Sequence, residues 1–183
     1  MQKSVAPIRS VSYFGQVALL AAVYFAAAKL SLFLAIPPGY ATAVWPPSGI
    51  ALAATLFLGN RVWPGIWIGA AVVNFTVNFS VVAAVLIGSG NALEAVIGAA
   101  LIRRFVSVPF RFDRAEDVVT FVAAAVLSAT VAATIGQAPL AFSHALPWPE
   151  AFWNWLTWWQ GDTTGMIIVT PLLLSWCIPG TVV

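Results

Sequence analysis

The chain has 183 residues, of which 61% are hydrophobic and 8% charged, with a mean hydropathy of +0.95 and a formal net charge of +2. Soluble domains carry roughly 25% charged residues, so this composition cannot cover a water-facing surface and leaves the bilayer as the solvent. At about 20 apolar residues per crossing, the length holds six or seven short-looped spans in one bundle and no separate soluble domain. The pI near 9.0 does not point to nucleic acid, because no basic stripe is interleaved with aromatic residues. The single cysteine, Cys177, excludes an internal disulfide and a cysteine-based metal cluster. The single histidine, His144, cannot form a two-histidine set for zinc or haem without borrowed partners. No metal and no cofactor is expected.

In chain order, the first span is expected at about 13–36, after a tail carrying Lys3 and Arg9. Its apolar run is too long for a signal-peptide core, and Pro37, Pro38 and Gly39 stop it. A second segment, about 43–59, is interrupted by Trp45-Pro46-Pro47-Ser48-Gly49. Its regular helix can start only near Pro47, so its outer part is expected to be irregular backbone packed in protein or lining a cavity. The polar run from Asn74 to Ser80 divides the next stretch into spans at about 63–77 and 80–102. Arg103, Arg104, Arg111 and Arg114 follow, mixed with Asp113, Glu116 and Asp117, as the main wet loop. The acids precede a fifth span at about 118–137, where a helix N-terminus favours negative charge. A loop with Pro139, His144, Pro147 and Pro149 leads to a last span at about 155–178. The tryptophans at 153, 155, 158 and 159 are expected at its headgroup boundary. The fold class is therefore all-α, a polytopic transmembrane bundle of about six spans.

Seven of the eight basic residues, all but Lys29, fall on loops that share one side. Cytoplasmic loops collect Lys and Arg, so this side is read as cytoplasmic, and an even number of spans puts both termini there. Three ionisable residues, Lys29, Glu94 and Asp162, lie at membrane depth, where each is costly and should face the bundle interior or a wet cavity. Lys29 either snorkels to the outer headgroups or pairs with Asp162 or Glu94. Asn91 and Glu94 are three apart and share a helix face, beside Gly88, Gly90 and Gly98, which admit a neighbouring backbone. They form either an interhelical clamp or part of a pocket. Asp162, between glycines and tryptophans, is too short to snorkel far and reads as a built site. Asn74 and Asn78 either cap helix ends or line the same pocket. Thr170-Pro171 marks a kink, with the threonine hydroxyl expected to satisfy freed backbone. No nucleophile with a base and an orienting acid is present, so catalysis is not expected.

The run from Val44-Trp45-Pro46-Pro47-Ser48-Gly49 through Leu58-Gly59-Asn60-Arg61-Val62-Trp63-Pro64-Gly65 resembles the opening of the membrane-associated sensor domain of type one, the first MASE family. So do Gly90-Asn91-Ala92-Leu93-Glu94 with Arg103-Arg104, and Trp158-Trp159-Gln160-Gly161-Asp162-Thr163-Thr164-Gly165 followed by Thr170-Pro171-Leu172. The resemblance covers about residues 13–178. It implies a bacterial inner-membrane input module of the kind found N-terminal to a histidine kinase, a diguanylate cyclase or a cyclic-di-GMP phosphodiesterase. No such output domain lies within these residues, and family members often continue with further spans.

The expected function is a sensory module that binds a small ligand in the outer half of the bundle. Lys29, Trp45, Asn91, Glu94, Trp158 and Asp162 are its expected ligand-binding residues. Its expected partners are the lipid bilayer, a cytoplasmic output domain and a second copy of the chain, since signalling output enzymes generally act in pairs. The alternative is a solute-binding six-span subunit like those of energy-coupling-factor transporters, for which Ala18, Ala22 and Ala26 offer small-residue spacing to dock a partner. A third reading is a structural anchor with no ligand.

Overall fold

A computed structural model of the protein describes residues 11–33, 42–78, 80–106, 114–142 and 148–177. Among these residues there is no β-strand, and six α-helices form the fold. They are α1 (Tyr13–Leu32), α2 (Pro46–Leu58), α3 (Trp63–Asn78), α4 (Val81–Phe105), α5 (Ala115–Phe142) and α6 (Trp148–Cys177). Tyr13–Leu32, Val81–Phe105 and Ala115–Pro139 are long and apolar enough to cross a membrane, with mean hydropathies of 1.5, 1.8 and 2.2. The 13 residues of α2 rise only about 20 Å, short of the roughly 30 Å of a hydrocarbon core.

Local chemistry sets the helix ends. Ser12 caps α1 by accepting a hydrogen bond from the Gly15 amide, and Ser80 caps α4 by accepting one from the Ala83 amide. Pro46 and Pro47 occupy the first two positions of α2, where a missing N–H costs nothing. Gly59 ends α2 with φ of 93°, a conformation that favours glycine. Arg103 donates to the Thr55 carbonyl in the last turn of α2 and to the Asn60 side chain. α4 runs on to Phe105, past the expected 102, so Arg103 lies within its last turn. Glu116 and Asp117 form the first turn of α5, which begins at Ala115 and continues through Pro139. The last helix starts at Trp148, ahead of the expected 155, because Pro149 is tolerated in a first turn. Lys3, Arg9, the Pro37-Pro38-Gly39 stop, Arg111, His144 and the C-terminus lie outside the described residues.

Successive helices alternate in direction. The central element is α2, which packs on α1, α4 and α6, while α1, α3, α4, α5 and α6 follow one another around it. Leu52 and Leu56 of α2 join Ile102, Phe121, Ala125 and Met166 in one buried cluster. On its other face Ala51 joins Leu20, Tyr24, Val62, Ile66 and Ala95. The neighbour of α1 in the ring is α3, because Gly65 and Gly69 bring the two backbones together. A Cβ at these glycines would lie 2.7 Å from the Val17 carbonyl oxygen and 2.8 Å from that of Ala21. Arg61, Arg103, Arg104 and Arg114 gather at the end where α2 and α4 finish and α3 and α5 begin. There Arg61 donates to the Gln16 side chain at 3.2 Å, and the Tyr13 hydroxyl donates to the Arg61 carbonyl at 3.1 Å.

Candidate functional site

In the half of the bundle away from the arginines, the irregular segment Thr42–Trp45 and the first turn of α2 lie directly against α6. The Trp45 amide donates to the Gly161 carbonyl at 2.9 Å. A Cβ at Gly165 would fall on the Trp45 carbonyl, 2.6 Å from its carbon, and one at Gly49 would lie 2.6 Å from Cβ of Val169. Only glycines allow this backbone-to-backbone approach. The Thr170 hydroxyl donates to the Gly49 carbonyl at 3.1 Å, so it fastens α6 to α2. The backbone carbonyl that the hydroxyl satisfies is thus one of α2, not one of its own helix.

This seating turns Ser48 inward between two acids. Its Oγ lies 2.6 Å from Oδ1 of Asp162 on α6 and 3.1 Å from Oε2 of Glu94 on α4. The three residues are 2%, 0% and 1% exposed, so the chain carboxyl–hydroxyl–carboxyl is sealed in protein. The remaining oxygens, Glu94 Oε1 and Asp162 Oδ2, are buried without a hydrogen-bond partner among the described residues. The Trp158 indole lies beside the Asp162 carboxyl. One turn along α4, Asn91 Oδ1 accepts from the Tyr24 hydroxyl at 2.9 Å, and Asn91 Nδ2 donates to the Ile87 carbonyl at 2.8 Å. The Trp45 indole N–H approaches the same tyrosine oxygen at 3.5 Å. Above this layer is a cavity of about 30 Å³ lined by Thr42, Trp45, Asn74, Asn91 and Trp158, room for about one water.

Five of the six residues singled out in the sequence therefore meet: Trp45, Asn91, Glu94, Trp158 and Asp162. Lys29 does not join them. Its ammonium stands 5.8 Å over the Phe25 ring of its own helix, and the ion pair among the described residues is Arg114–Glu116 at 3.7 Å. Of the two readings of Lys29, the pairing with Asp162 or Glu94 is not made, and a half-buried lysine near its helix end fits the other, snorkelling. Asn74 bonds to Ala70 in its own helix while facing the cavity; the side chain of Asn78 lies outside the described residues. Trp155 and Trp159 are not simply boundary rings. They stack 6.3 Å apart and donate to Thr134 and to the Val126 carbonyl of α5.

Ser48 lies in the Trp45–Gly49 segment that the sequence places at the pocket, but neither it nor Tyr24 is among the individual residues expected to bind ligand. Ser48 stands inside the quoted Trp-Pro-Pro-Ser-Gly run, and Tyr24 is a phenol deep in an otherwise apolar span. A buried phenol needs a polar partner, which is the signal that could have found it.

A family model for MASE1 matches residues 16–179, nearly the whole chain. The chain belongs to the MASE1 family. MASE1 domains are membrane-associated sensory domains, and the matched region contains every residue of the site, from Tyr24 to Asp162. Comparison with curated proteins and with solved structures gave no match.

Proposed function

We propose that the chain is the sensory input module of a bacterial signalling protein, held in the inner membrane by six helices with both termini in the cytoplasm. The signal is perceived in the site between α2, α4 and α6 and is passed by α6 to a cytoplasmic output domain, a histidine kinase or a cyclic-di-GMP enzyme. The observation that carries this reading is the sealed polar chain Glu94–Ser48–Asp162, which ties three helices together inside an apolar bundle. Buried ionisable groups at membrane depth are expensive and mark functional positions by default. The orientation is supported by the gathering of Arg61, Arg103, Arg104 and Arg114 at one end, the side on which basic residues are retained.

The physical requirement is that the signal prefers one of two packings of the bundle. The Ser48 hydroxyl is the joint at which α4 and α6 are held to α2, so a change in its two bonds changes how α6 is held. The test is a fusion of the chain to a diguanylate cyclase, with cyclic-di-GMP production measured in membranes. Glu94→Gln and Asp162→Asn are expected to shift the output while leaving the amount of membrane-inserted protein unchanged. Unaltered output in both variants would refute the sensory reading. The transporter alternative keeps one feature in its favour: Ala18, Ala22 and Ala26 are all exposed on the outer face of α1, free for a partner. Solute uptake with an added energising module, abolished by the same substitutions, would select it.

A further inference from the structure

We infer that the Glu94–Ser48–Asp162 chain is a proton-binding site, and that the ligand it takes up is a proton shared between the two carboxyls through the serine. The deciding observation is a count of donors. A serine hydroxyl has one hydrogen to donate and an ionised carboxylate has none. Yet Ser48 Oγ lies within hydrogen-bond distance of both Asp162, at 2.6 Å, and Glu94, at 3.1 Å. The serine can donate to only one of them; the other contact is a hydrogen bond only if that carboxyl brings its own hydrogen.

The surroundings supply no substitute for that proton. From α1 the site is faced by Tyr24, whose hydrogen is donated to Asn91, while Lys29 lies over Phe25. From α2 comes Ser48; residues Trp63–Asn78 of α3 include no ionisable side chain, and α5 has none beyond Asp117. From α6 the only acid besides Asp162 is Glu150, three turns away at its start. The N-terminal end of α2, at which Ser48 sits, favours negative charge, but two carboxylates sharing one hydroxyl repel each other. Glu94 Oε1 and Asp162 Oδ2 are buried without a hydrogen-bond partner among the described residues, and the Trp158 indole beside the Asp162 carboxyl can serve only Asp162, not Glu94. No third His, Cys, Asp or Glu joins them among the described residues, and the Glu94 and Asp162 side chains are closed off to 1% and 0% exposure. A metal ion needs several oxygens and room; a proton needs neither. A water-sized cavity lies in the same half of the bundle, lined by Thr42, Trp45, Asn91 and Trp158 but by neither acid.

Release of the proton leaves two anions on one hydroxyl, so one of the two bonds through Ser48 is lost and α4 is uncoupled from α6. The proposal rests on the sensory reading only for its use, and the two can fail separately.

The experiment is infrared spectroscopy of the full chain in lipid nanodiscs, in H₂O and in D₂O, with ¹³C-carboxyl aspartate or glutamate incorporated in turn. The unmutated protein is expected to show the C=O stretch of a neutral, water-excluded carboxylic acid, shifted by deuterium and by one or both labels, and lost on titration to high pH. Ser48→Ala is expected to shift that band by removing its hydrogen-bond partner, and the double variant Glu94→Gln/Asp162→Asn to abolish it. No label-sensitive neutral-carboxyl band in the unmutated protein at any pH would overturn the proposal, and so would a band that survives the double variant. If the band is absent while Glu94→Gln still alters cyclase output, the sensory reading stands without the proton. If the band is present and output is unmoved, the proton is structural and the sensory reading falls.

Discussion

Replacing Gly165 by alanine puts a methyl group where the Trp45 carbonyl already is. The new Cβ would lie 2.6 Å from the Trp45 carbonyl carbon, against the 3.4 Å at which ordinary contact begins. The two segments must separate by at least about 0.8 Å, since the carbonyl oxygen of Trp45 lies nearer still, and the obstacle is backbone, which cannot swing aside as a side chain can. A shift of that size stretches the 2.9 Å bond from the Trp45 amide to the Gly161 carbonyl past the hydrogen-bond limit, a loss of about 1 kcal/mol. Overpacking adds about 2 kcal/mol, so Gly165→Ala is expected to destabilise the bundle by about 3 kcal/mol. Gly90→Ala is the matched control: its Cβ would meet Ala132 at 3.3 Å, a gap that neighbours can open at a cost below about 1 kcal/mol. The assay is unfolding by SDS in mixed micelles, followed by tryptophan fluorescence and circular dichroism. If Gly165→Ala unfolds at the same SDS fraction as Gly90→Ala, the close seating of residues 42–49 on α6 is wrong.

Arg103→Ala removes the donors that satisfy the Thr55 carbonyl and Asn60 and should cost about 1–2 kcal/mol in the same unfolding assay. Arg103→Lys should recover only part of it, because a point charge cannot reach both acceptors as a planar fork does. Tyr24→Phe strips Asn91 Oδ1 of its donor and should likewise cost about 1–2 kcal/mol; equal stability of the phenylalanine variant would contradict the Tyr24–Asn91 bond. Thr170→Val, which keeps the shape and deletes the bond to Gly49, should cost about 1 kcal/mol. Reporter enzymes active on only one side of the membrane, fused after residue 61, after residue 104 and at each terminus, should all report the cytoplasm; an external signal at either terminus would overturn the six-crossing topology.

Much of the site was legible because the chain is so apolar. In so apolar a bundle Asp162, Glu94 and Asn91 stand out by their cost alone, and the glycines beside Asp162 announce a close approach without naming what approaches. What could not be read was the partner of each. Ser48 is 114 residues from Asp162 and 46 from Glu94, and no local periodicity encodes that meeting. Hydroxyls are inexpensive in a helix, where they bond to a carbonyl one turn back, as Thr55 does to Ala51; Ser48 and Tyr24 therefore carried little signal. Lys29 misled for the opposite reason. A long side chain at membrane depth has an escape that Asp162 lacks, and its charge alone does not say which way it points. The ring order was also hidden: α1 lies beside α3 because Gly65 and Gly69 fit the backbone of residues 17–21, a match visible only when both surfaces are in hand.

The seating of Trp45 and Gly49 against Gly161 and Gly165 is a fit between main chains, and this bears on how the domain can be rebuilt. A side-chain pocket can be grafted residue by residue, but here the complementary surfaces are carbonyls and bare Cα atoms, positioned by two prolines on one side and two glycines on the other. The exchangeable unit is therefore not a helix. A chimera that takes α6 from a relative inherits half of a joint, and it will fold well only if residues 42–49 travel with it.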